Sequence, residues 1–326
     1  MPTLNVTANQ TRKLDRKRFR QVLFSLPRYL RELRHLHKPR DVYQWTYYKL
    51  PYIFPLAPFP MRINLELTNE CNLGCKHCPR SVMGRPLGFM PVELFHKITD
   101  EVAHYPGTLI KVVGLGEPAL HPQINDLMKL IGERRIPSIV YTNGELFKAC
   151  TVEQILGWDV QTIVVSVDGL DAESFARIRV GGDYIVLKEL LSRFHAERGQ
   201  RRAPEIEVRH VIFPKETQAD LLRFRQEWLA ISDTVKFNYL YFPEHTTEEV
   251  RNTKCRDIRR ELYIYWNGKV PLCGYQYLSG DQEWLGNVET SSIANLWNSP
   301  RLSEVRQSHS ANDLTQLSFC KACTFK

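Results

Sequence analysis

The sequence lacks any hydrophobic run long enough to span a membrane. A transmembrane helix takes about 20 consecutive apolar residues, and the richest apolar stretch, residues 52–67, is interrupted by Pro55, Pro58, Pro60 and Arg62. The N-terminus also lacks the apolar segment of a secretory signal, since it is polar and then basic. We therefore expect a cytoplasmic protein.

The composition excludes several other classes of protein. The chain has 326 residues, of which 43% are hydrophobic and 25% charged, and these shares are ordinary for globular domains. It contains no internal repeat and no low-complexity tract, so collagen-like and disordered chains are excluded. A chain of this length buries about three quarters of its unfolded surface and needs no disulfides. The length suggests about two domains.

The positive charge is concentrated near the N-terminus. The first 50 residues hold 12 of the 44 Lys and Arg residues and three of the 36 acidic residues. Apolar residues recur at spacings of three and four over residues 11–37, which predicts an amphipathic helical arm divided at Pro27. The basic face of this arm carries Arg16, Arg20, Arg31 and Arg34. Either that face is solvated, or residues 11–40 contact an anionic surface, for example at the periphery of a membrane.

Strand-like and helix-like segments alternate between residues 61 and 245. The strand-like runs are Ile63–Thr68, Leu109–Gly114, Ser138–Tyr141, Thr162–Val167, Glu205–Phe213 and Val235–Leu240. Alternating strands and helices give parallel strands with right-handed crossovers. Six such units predict an α/β fold, a partial TIM-like (β/α)6 barrel, with its site at the carboxyl ends of the strands.

The pattern changes after residue 245 to a small α+β module. Residues 261–265 and 269–272 flank Asn267-Gly268, the strongest short signal for a β-hairpin turn, and residues 293–307 are predicted to be helical. The module has too little apolar content to fold well alone, so a metal cluster would stabilise it. The predicted domains are the arm with a Pro-rich connector (1–60), the barrel (61–245) and this module (246–326).

Eight cysteines carry the strongest functional signal, because such spacings in a reducing cytoplasm indicate metal or redox sites before disulfides. Cys71, Cys75 and Cys78 stand in one loop directly after the first strand. A four-iron cluster usually takes four Cys ligands, so three ligands leave one iron open for another group. A zinc loop is the alternative, although structural zinc usually takes four ligands in two pairs.

The segment Glu70–Pro79, ECNLGCKHCP, resembles the cluster loop of the radical S-adenosylmethionine (SAM) superfamily. The resemblance implies that Cys71, Cys75 and Cys78 ligate a [4Fe-4S] cluster whose open iron chelates the methionine part of SAM. It also implies reductive cleavage of SAM to a 5′-deoxyadenosyl radical and an external electron donor such as flavodoxin or ferredoxin. His77 takes the usual aromatic position of the family, near the adenine.

Three later elements also resemble SAM-contacting elements of this superfamily. Gly114-Leu-Gly-Glu-Pro118 matches the Gly-Gly-Glu-Pro motif with one variant residue, while Tyr141-Thr-Asn-Gly144 and Ser166-Val-Asp-Gly169 end the third and fourth strands. Alone, each of the last two would most often be only a loop. The resemblance implies cofactor contacts from Gly114, Gly116, Glu117, Pro118, Asn143, Ser166 and Asp168.

Four further residues are candidates for contacts with SAM. Val211 and Ile212, on the fifth strand, are expected to form a shelf for the adenine, with core packing as the alternative. Arg179 or Arg209 is expected to meet the SAM carboxylate.

A second set of cysteines lies in the C-terminal module: Cys255, Cys273, Cys320 and Cys323. Their spacing, with the Asn-Gly turn between the first two, resembles the auxiliary-cluster module called twitch and the first half of the longer SPASM domain. The resemblance implies one auxiliary [4Fe-4S] cluster with four protein ligands, suited to relaying an electron or holding the module together. Zinc is the alternative. Cys150 belongs to neither set and is expected to be buried on a helical stretch.

Together these elements predict a radical SAM enzyme, an oxidoreductase acting on a small-molecule or peptide substrate. The twitch resemblance favours oxidation of a small polyol, sugar or aminocyclitol-like substrate, and the base would be Lys236, Tyr239 or Tyr241 unless these residues only pack or are solvated. The alternatives are a radical peptide maturase, a redox-neutral epimerisation or elimination on a nucleotide- or lipid-linked sugar, and a non-enzymatic iron–sulfur protein. Nucleic acid is disfavoured as a partner because the basic charge is confined to the arm.

Overall fold

A computed structural model describes Tyr47, Pro51–Tyr52, Phe54–Tyr239, Lys254–Gln276 and Glu283–Cys323. The predicted helical arm and Tyr241 lie outside these residues, as does the side chain of Tyr239. The chain divides into two compact units, Met1–Phe54 and Pro55–Lys326, and the strands and helices named below belong to the second. No helix among the described residues is both long enough and apolar enough to cross a bilayer.

The second unit alternates strands and helices along most of its length. Its strands are β1 (Arg62–Leu65), β2 (Gly74–Cys75), β3 (Leu109–Val112), β4 (Ser138–Thr142), β5 (Thr162–Ser166), β6 (Arg179–Val180), β7 (Glu205–Ile212), β8 (Thr234–Tyr239), β9 (Glu261–Ile264), β10 (Lys269–Pro271) and β11 (Trp284–Asn287). Its helices are α1 (Val92–Ala103), α2 (Ile124–Glu133), α3 (Leu146–Ala149), α4 (Val152–Leu156), α5 (Ala172–Ile178), α6 (Tyr184–Arg198), α7 (Gln218–Leu229), α8 (Ile293–Trp297), α9 (Pro300–Ala311) and α10 (Ser318–Ala322). Short 3-10 turns cover Pro79–Val82, Pro118–Leu120 and Asp257–Arg259.

One parallel sheet organises this unit, with the strand order β8-β7-β5-β4-β3-β1-β9. Every neighbouring pair in it is parallel. Six of the seven strands are those predicted from the sequence, so the α/β partial barrel is confirmed. Because parallel strands need crossover connections, the helices between them cover the outer face of the sheet.

Strict alternation along each strand separates a core face from an inner face. On β1 the side chains of Ile63 and Leu65 are completely buried in the core, and on β7 those of Ile206 and Val208 are. The residues between them therefore face the interior of the barrel. All seven carboxyl ends lie at one edge of the sheet, where the cysteine loop begins.

The predicted hairpin at Asn267-Gly268 is correct in its turn and wrong in its pairing. Gly268 N donates to Tyr265 O at 2.9 Å, and Tyr265 N donates to Lys269 O at 3.0 Å. However, β9 is the seventh strand of the main sheet and pairs with β1, whereas β10 pairs with β11. Leu262 and Ile264 are buried with the barrel core, so pairing with β1 places them where they lose the most apolar exposed surface.

The predicted helical stretch over residues 293–307 divides into α8 and α9. The Ser299 side chain accepts a hydrogen bond from Leu302 N, and Pro300 is the first residue of α9. Such a cap followed by proline begins a new helix because proline cannot donate to the preceding turn.

Candidate active site

A short antiparallel pairing holds the first cysteine loop against the barrel. In the pairing of β2 with β6, Cys75 lies opposite Arg179, and Lys76 N donates to Ile178 O at 3.0 Å. Burial raises the pKa of the Cys71 and Cys75 thiols, and the other thiols of the loop add to the rise. The three thiols therefore lie near one another at the carboxyl end of β1.

The residues of this loop fit a cluster better than a single metal ion. Within the described part of the chain, no three Cys, His, Asp or Glu side chains converge on one ion. An iron–sulfur cluster takes its thiolates on different irons, so its ligands need not converge on one point. The buried Nδ1 of His77 has no partner among the described residues, so the loop retains a polar atom for a further group.

Asp168 is the centre of a buried ion pair beside the loop. Its Oδ2 accepts hydrogen bonds from Arg179 Nε at 2.8 Å and Nη2 at 2.6 Å, and His77 Nε2 lies 3.3 Å away. Its Oδ1 accepts from Val211 N at 2.8 Å. Burial alone would raise the pKa of Asp168, but Arg179 and His77 hold it well below the ordinary value. The ionised carboxylate thus ties the loop to β6 and β7.

The structure separates the two arginines that were predicted for the SAM carboxylate. Arg179 forms an ion pair with Asp168 and lies opposite Cys75. Arg209 instead donates from Nη1 to the hydroxyl of Tyr141 at 3.0 Å. Arg179 is therefore the arginine at the cysteine loop, and Arg209 belongs to the barrel interior.

Strand alternation also separates the two residues that were predicted as an adenine shelf. Val211 shares the inner face of β7 with Arg209, while Ile212 follows His210 on the opposite face. Ser166 ends β5 directly opposite Arg209. Val211 and Ser166 thus remain at the inner carboxyl edge of the sheet.

Glu117 joins two of the predicted cofactor elements. Its Oε1 accepts from Thr142 Oγ1 at 2.8 Å and from Ala119 N at 3.2 Å, and its Oε2 accepts from Asn143 N at 2.6 Å. Asn143 Nδ2 in turn lies 3.8 Å from Cys71 Sγ. Glu117 thus positions the Tyr-Thr-Asn-Gly element next to the cysteine loop, and Pro118 is buried beside it.

The stability of the protein should depend on pH through Glu117. Burial raises the pKa of this carboxyl from 4.5 to about 7, although its three donors oppose the rise. A group with a raised folded-state pKa stabilises the protein at low pH, and its contribution is lost as pH rises through that pKa. Between pH 4.5 and about 7, we therefore expect the wild type to lose on the order of 3 kcal/mol of unfolding free energy through this group.

Urea unfolding curves from about pH 5 to about pH 8 measure this loss. The control is Glu117→Gln, which cannot titrate and should lack this part of the pH dependence. Equal slopes against pH in the two proteins would show that Glu117 keeps an ordinary pKa.

Gly116→Ala should destabilise the protein by about 1–3 kcal/mol through overpacking and weaken SAM binding. A Cβ at Gly116 would come within 2.3 Å of Thr68 O and 2.6 Å of Glu70 O, both backbone atoms of the segment that leads into the cysteine loop. Gly157→Ala is the matched control because its Cβ would lie 3.4 Å from the nearest carbonyl at an ordinary φ of −81°. Urea unfolding and equilibrium dialysis with SAM test both variants, and equal effects would contradict the close approach.

Gly114, just after β3, also has no room for a side chain. Its Cβ would come within 2.7 Å of Glu66 Cγ. Glu66 is buried and accepts from Arg85 Nη1 at 2.8 Å and Nη2 at 2.7 Å, and the Arg85 guanidinium lies 3.7 Å from the centroid of the Tyr265 ring. Through its contacts with Glu66 and Tyr265, Arg85 holds the segment after the cysteine loop against the C-terminal module.

A row of polar side chains lies on the inner face of the sheet, and only Arg209 and Lys236 among its members were predicted from the sequence. It comprises Lys111, Tyr141, Glu207, Arg209 and Lys236. The available signal was the charged residues Lys111, Glu207, Arg209 and Lys236 within strands, because strands buried on both faces should read as continuous apolar runs. Of the three predicted bases, Lys236 lies here and pairs with Glu207. The side chain of Tyr239 and all of Tyr241 lie outside the described residues.

The second set of cysteines also comes together. Cys273 follows β10, and Cys320 and Cys323 lie in and just after α10. Burial raises the pKa of Cys255 to about 12, and burial and the three other thiols raise the pKa of Cys273 well above its ordinary value. The four predicted ligands are thus neighbours in the C-terminal module.

Cys150 stands apart from both sets, at the end of α3. It is 5% exposed and packs in the apolar core, which confirms the prediction of a buried thiol. It lies at the residue that caps the helix rather than within the helix.

Comparison with known proteins defines the class. Residues 65–227 match the Radical SAM superfamily, and residues 255–324 match SPASM, an iron–sulfur cluster-binding domain. The chain therefore belongs to the Radical SAM superfamily and carries a C-terminal SPASM domain. It is a radical SAM enzyme, with SAM and iron–sulfur clusters as its cofactors.

Among individual proteins, the chain is similar to the tungsten-containing aldehyde ferredoxin oxidoreductase cofactor-modifying protein of Pyrococcus furiosus. The two are 24% identical over 320 residues, covering 80% of this chain and 88% of the relative. The fold is similar to Streptococcus suis SuiB bound to SAM, with a TM-score of 0.61, 17% identity and coverage of 79% of this chain and 70% of SuiB. It is also similar to BtrN in complex with SAM and 2-DOIA, with a TM-score of 0.53, 16% identity and coverage of 80% and 91%.

Proposed function

We propose that this chain is an oxidoreductase that acts on a small polyol, sugar or aminocyclitol-like substrate. In this proposal Cys71, Cys75 and Cys78 hold the SAM-binding [4Fe-4S] cluster. Cys255, Cys273, Cys320 and Cys323 would hold one auxiliary [4Fe-4S] cluster, which would take up the electron that the substrate radical loses as a base removes its proton. When bound, the first cluster supplies the electron that cleaves SAM, and the resulting 5′-deoxyadenosyl radical removes a substrate hydrogen.

The observation that carries the proposal is the meeting of three elements at the carboxyl ends of the strands. Asp168 orients His77 and Arg179 at the cysteine loop, and Glu117 orients Asn143 toward Cys71. The side chains that touch SAM would thus be fixed before it binds, which lowers the ordering cost of binding. The polar inner face lies directly below and would receive the substrate.

Oxidation is favoured over a redox-neutral reaction by the second cysteine set. A cluster with four protein ligands has no open iron for a substrate, so electron relay is the role that its ligand set supports. The similarity to BtrN extends over 91% of that protein. The domain boundaries at 60/61 and 245/246, the external electron donor and the contact of the basic arm with an anionic surface belong to the same proposal.

A radical peptide maturase is the second candidate. It is favoured by the similarity to SuiB in its complex with the precursor peptide SuiA, which covers 82% of this chain with a TM-score of 0.62.

Anaerobic incubation with SAM and dithionite tests the proposal. We expect 5′-deoxyadenosine and methionine to form, and deuterium from a deuterated polyol or sugar to appear in the 5′-deoxyadenosine. Deuterium transfer from a deuterated peptide instead would establish the maturase. A protein with full iron content that forms no 5′-deoxyadenosine would contradict both.

A further inference from the structure

The inner face of the sheet carries a cluster of hydrogen-bond donors below the cofactor elements. We call Lys111, Tyr141 and Arg209 the lumen cluster. The Lys111 ammonium lies 5.2 Å from the centroid of the Tyr141 ring, and the Arg209 guanidinium carbon lies 5.1 Å from it on β7. Arg209 Nη1 also donates to the Tyr141 hydroxyl at 3.0 Å. Three strands thus bring two cations to one phenol.

Two carboxylates near this cluster are shared among more cations than they can neutralise. Glu207 accepts from Arg209 Nε at 2.9 Å and pairs with Lys236. Glu261 Oε2 accepts from Asn64 Nδ2 at 2.8 Å and lies 3.5 Å from Arg62 Nη1. Although burial opposes them, the charges of Arg62 and Lys111 lower the pKa of Glu261. The acids on this face therefore do not neutralise the whole set of cations.

The spare hydrogen-bonding capacity lies on Lys111 and Tyr141. Among the described residues, no carboxylate lies within 4.0 Å of the Lys111 ammonium, and no acceptor receives the Tyr141 hydroxyl proton. On β1, opposite Lys111 in the sheet, the buried Oδ1 of Asn64 also has no donor in the described part of the chain. A buried oxygen such as Asn64 Oδ1 is normally satisfied, so a ligand can supply its donor and can also accept from the Lys111 ammonium and the Tyr141 hydroxyl.

The charge around Tyr141 is positive on balance. Burial acts to raise the pKa of the Tyr141 phenol, but Lys111 and Arg209 together lower it below the ordinary value, against the opposing charge of Glu207. A neutral ligand would gain little from such a field, whereas a negatively charged oxygen would gain charge-assisted hydrogen bonds.

We propose that the lumen cluster binds an anionic oxygen group of the substrate, a phosphate or a carboxylate. Lys111 is its charge partner, Tyr141 donates a hydrogen bond to it, and Arg209 holds the phenol in place. A substrate hydroxyl next to the anion would donate to Asn64. This inference rests on the proposed function and narrows its substrate to an anionic, hydroxyl-bearing molecule, which disfavours a cationic aminocyclitol.

The test uses the full chain, purified anaerobically with its clusters and saturated with SAM. Inorganic phosphate and acetate are titrated separately, and the ultraviolet difference spectrum between wild type and Tyr141→Phe follows the Tyr141 phenol. Each anion that binds should raise the pKa of Tyr141, because it offsets the charges of Lys111 and Arg209. Tighter binding of phosphate indicates a phosphorylated substrate, and tighter binding of acetate indicates a carboxylate.

Lys111→Met should weaken anion binding at least about tenfold, and Lys111→Arg should retain it because the charge is kept. Lys129→Met is the matched control, since Lys129 is 63% exposed on α2 and should bind the anion like the wild type. Binding that is equal in Lys111→Met and the wild type would overturn the inference. The absence of saturable binding of either anion would also overturn it. Displacement of the anion by SAM would overturn it too, because Arg209 would then be a SAM contact.

The same preparations separate this inference from the proposed function. If 5′-deoxyadenosine forms but neither anion binds, only the lumen cluster assignment fails. If an anion binds but SAM is not cleaved, the proposed function fails and the anion site stands.

Discussion

The Cys71/Cys75/Cys78→Ala variant should form no more 5′-deoxyadenosine than a reaction without enzyme. The pairing of β2 with β6 places Cys75 opposite Arg179, and without the three thiols of this loop the proposed cluster has no protein ligand. Iron content should fall from about eight to about four atoms per chain, because the second cysteine set would keep its own four-iron cluster. Anaerobic iron and sulfide quantification with electron paramagnetic resonance measures both values.

Cys150→Ala is the matched control for that variant. Its thiol is buried in the apolar core at the end of α3, so the variant should lose some stability but keep full iron content and SAM cleavage. Retained iron and 5′-deoxyadenosine formation in the triple variant would overturn the assignment of the loop. About four irons in the wild type, with zinc on the C-terminal cysteines, would leave SAM cleavage intact and favour a redox-neutral reaction.

Asp168→Ala should lower the free energy of unfolding by about 3–5 kcal/mol, the usual cost of leaving one member of a buried ion pair without its partner. The side chains of Arg179 and Asp168 are 8% and 2% exposed, so water cannot replace the lost carboxylate. His77 and the backbone of Val211 also lose their contact with it. SAM binding should therefore weaken in the same variant, as equilibrium dialysis would measure.

The neighbouring helix offers a control for this prediction. Glu173→Ala removes the ion pair with Arg177 on α5, whose side chains are 88% and 59% exposed, and it should cost no more than about 0.5 kcal/mol. Combining Asp168→Asn with Arg179→Met removes both charges and should recover part of the stability lost with Asp168 alone. Equal costs for Asp168→Ala and Glu173→Ala in urea unfolding would show that the Asp168 pair is solvated.

The six barrel strands could be predicted because their signals are local. Each is a short run of buried residues followed by a turn or a helix-starting residue, and parallel strands place such turns at one edge. The resemblance of the strand-end motifs to the radical SAM superfamily, together with that rule, predicted that Glu117, Asn143 and Asp168 lie near the cysteine loop, and the structure brings them together. The burial of Cys150 was predicted because this cysteine belongs to neither of the two cysteine sets.

The seventh strand could not be predicted in the same way. Residues 261–264 carry an equally strong local hairpin signal, yet they pair with β1 about 200 residues away in the chain. The pairing partner of this strand is the one that buries Leu262 and Ile264. That partner is β1, which becomes an edge strand of the sheet only when the barrel folds. The division of residues 293–307 into α8 and α9, by contrast, was visible in Ser299-Pro300.

By itself, the sequence determined the class of this protein, its two cysteine sets and the strand ends near the cysteine loop, because motif spacing and strand period act within a few residues. Only the tertiary structure decided that Arg179 forms an ion pair with Asp168 while Arg209 donates a hydrogen bond to Tyr141. It also decided that Lys111, Tyr141 and Arg209, from β3, β4 and β7, meet inside the barrel. The physical reason is that ion pairs and hydrogen bonds form between residues of different strands. Which residues meet depends on the register of the strands, and no single segment of the sequence encodes that register.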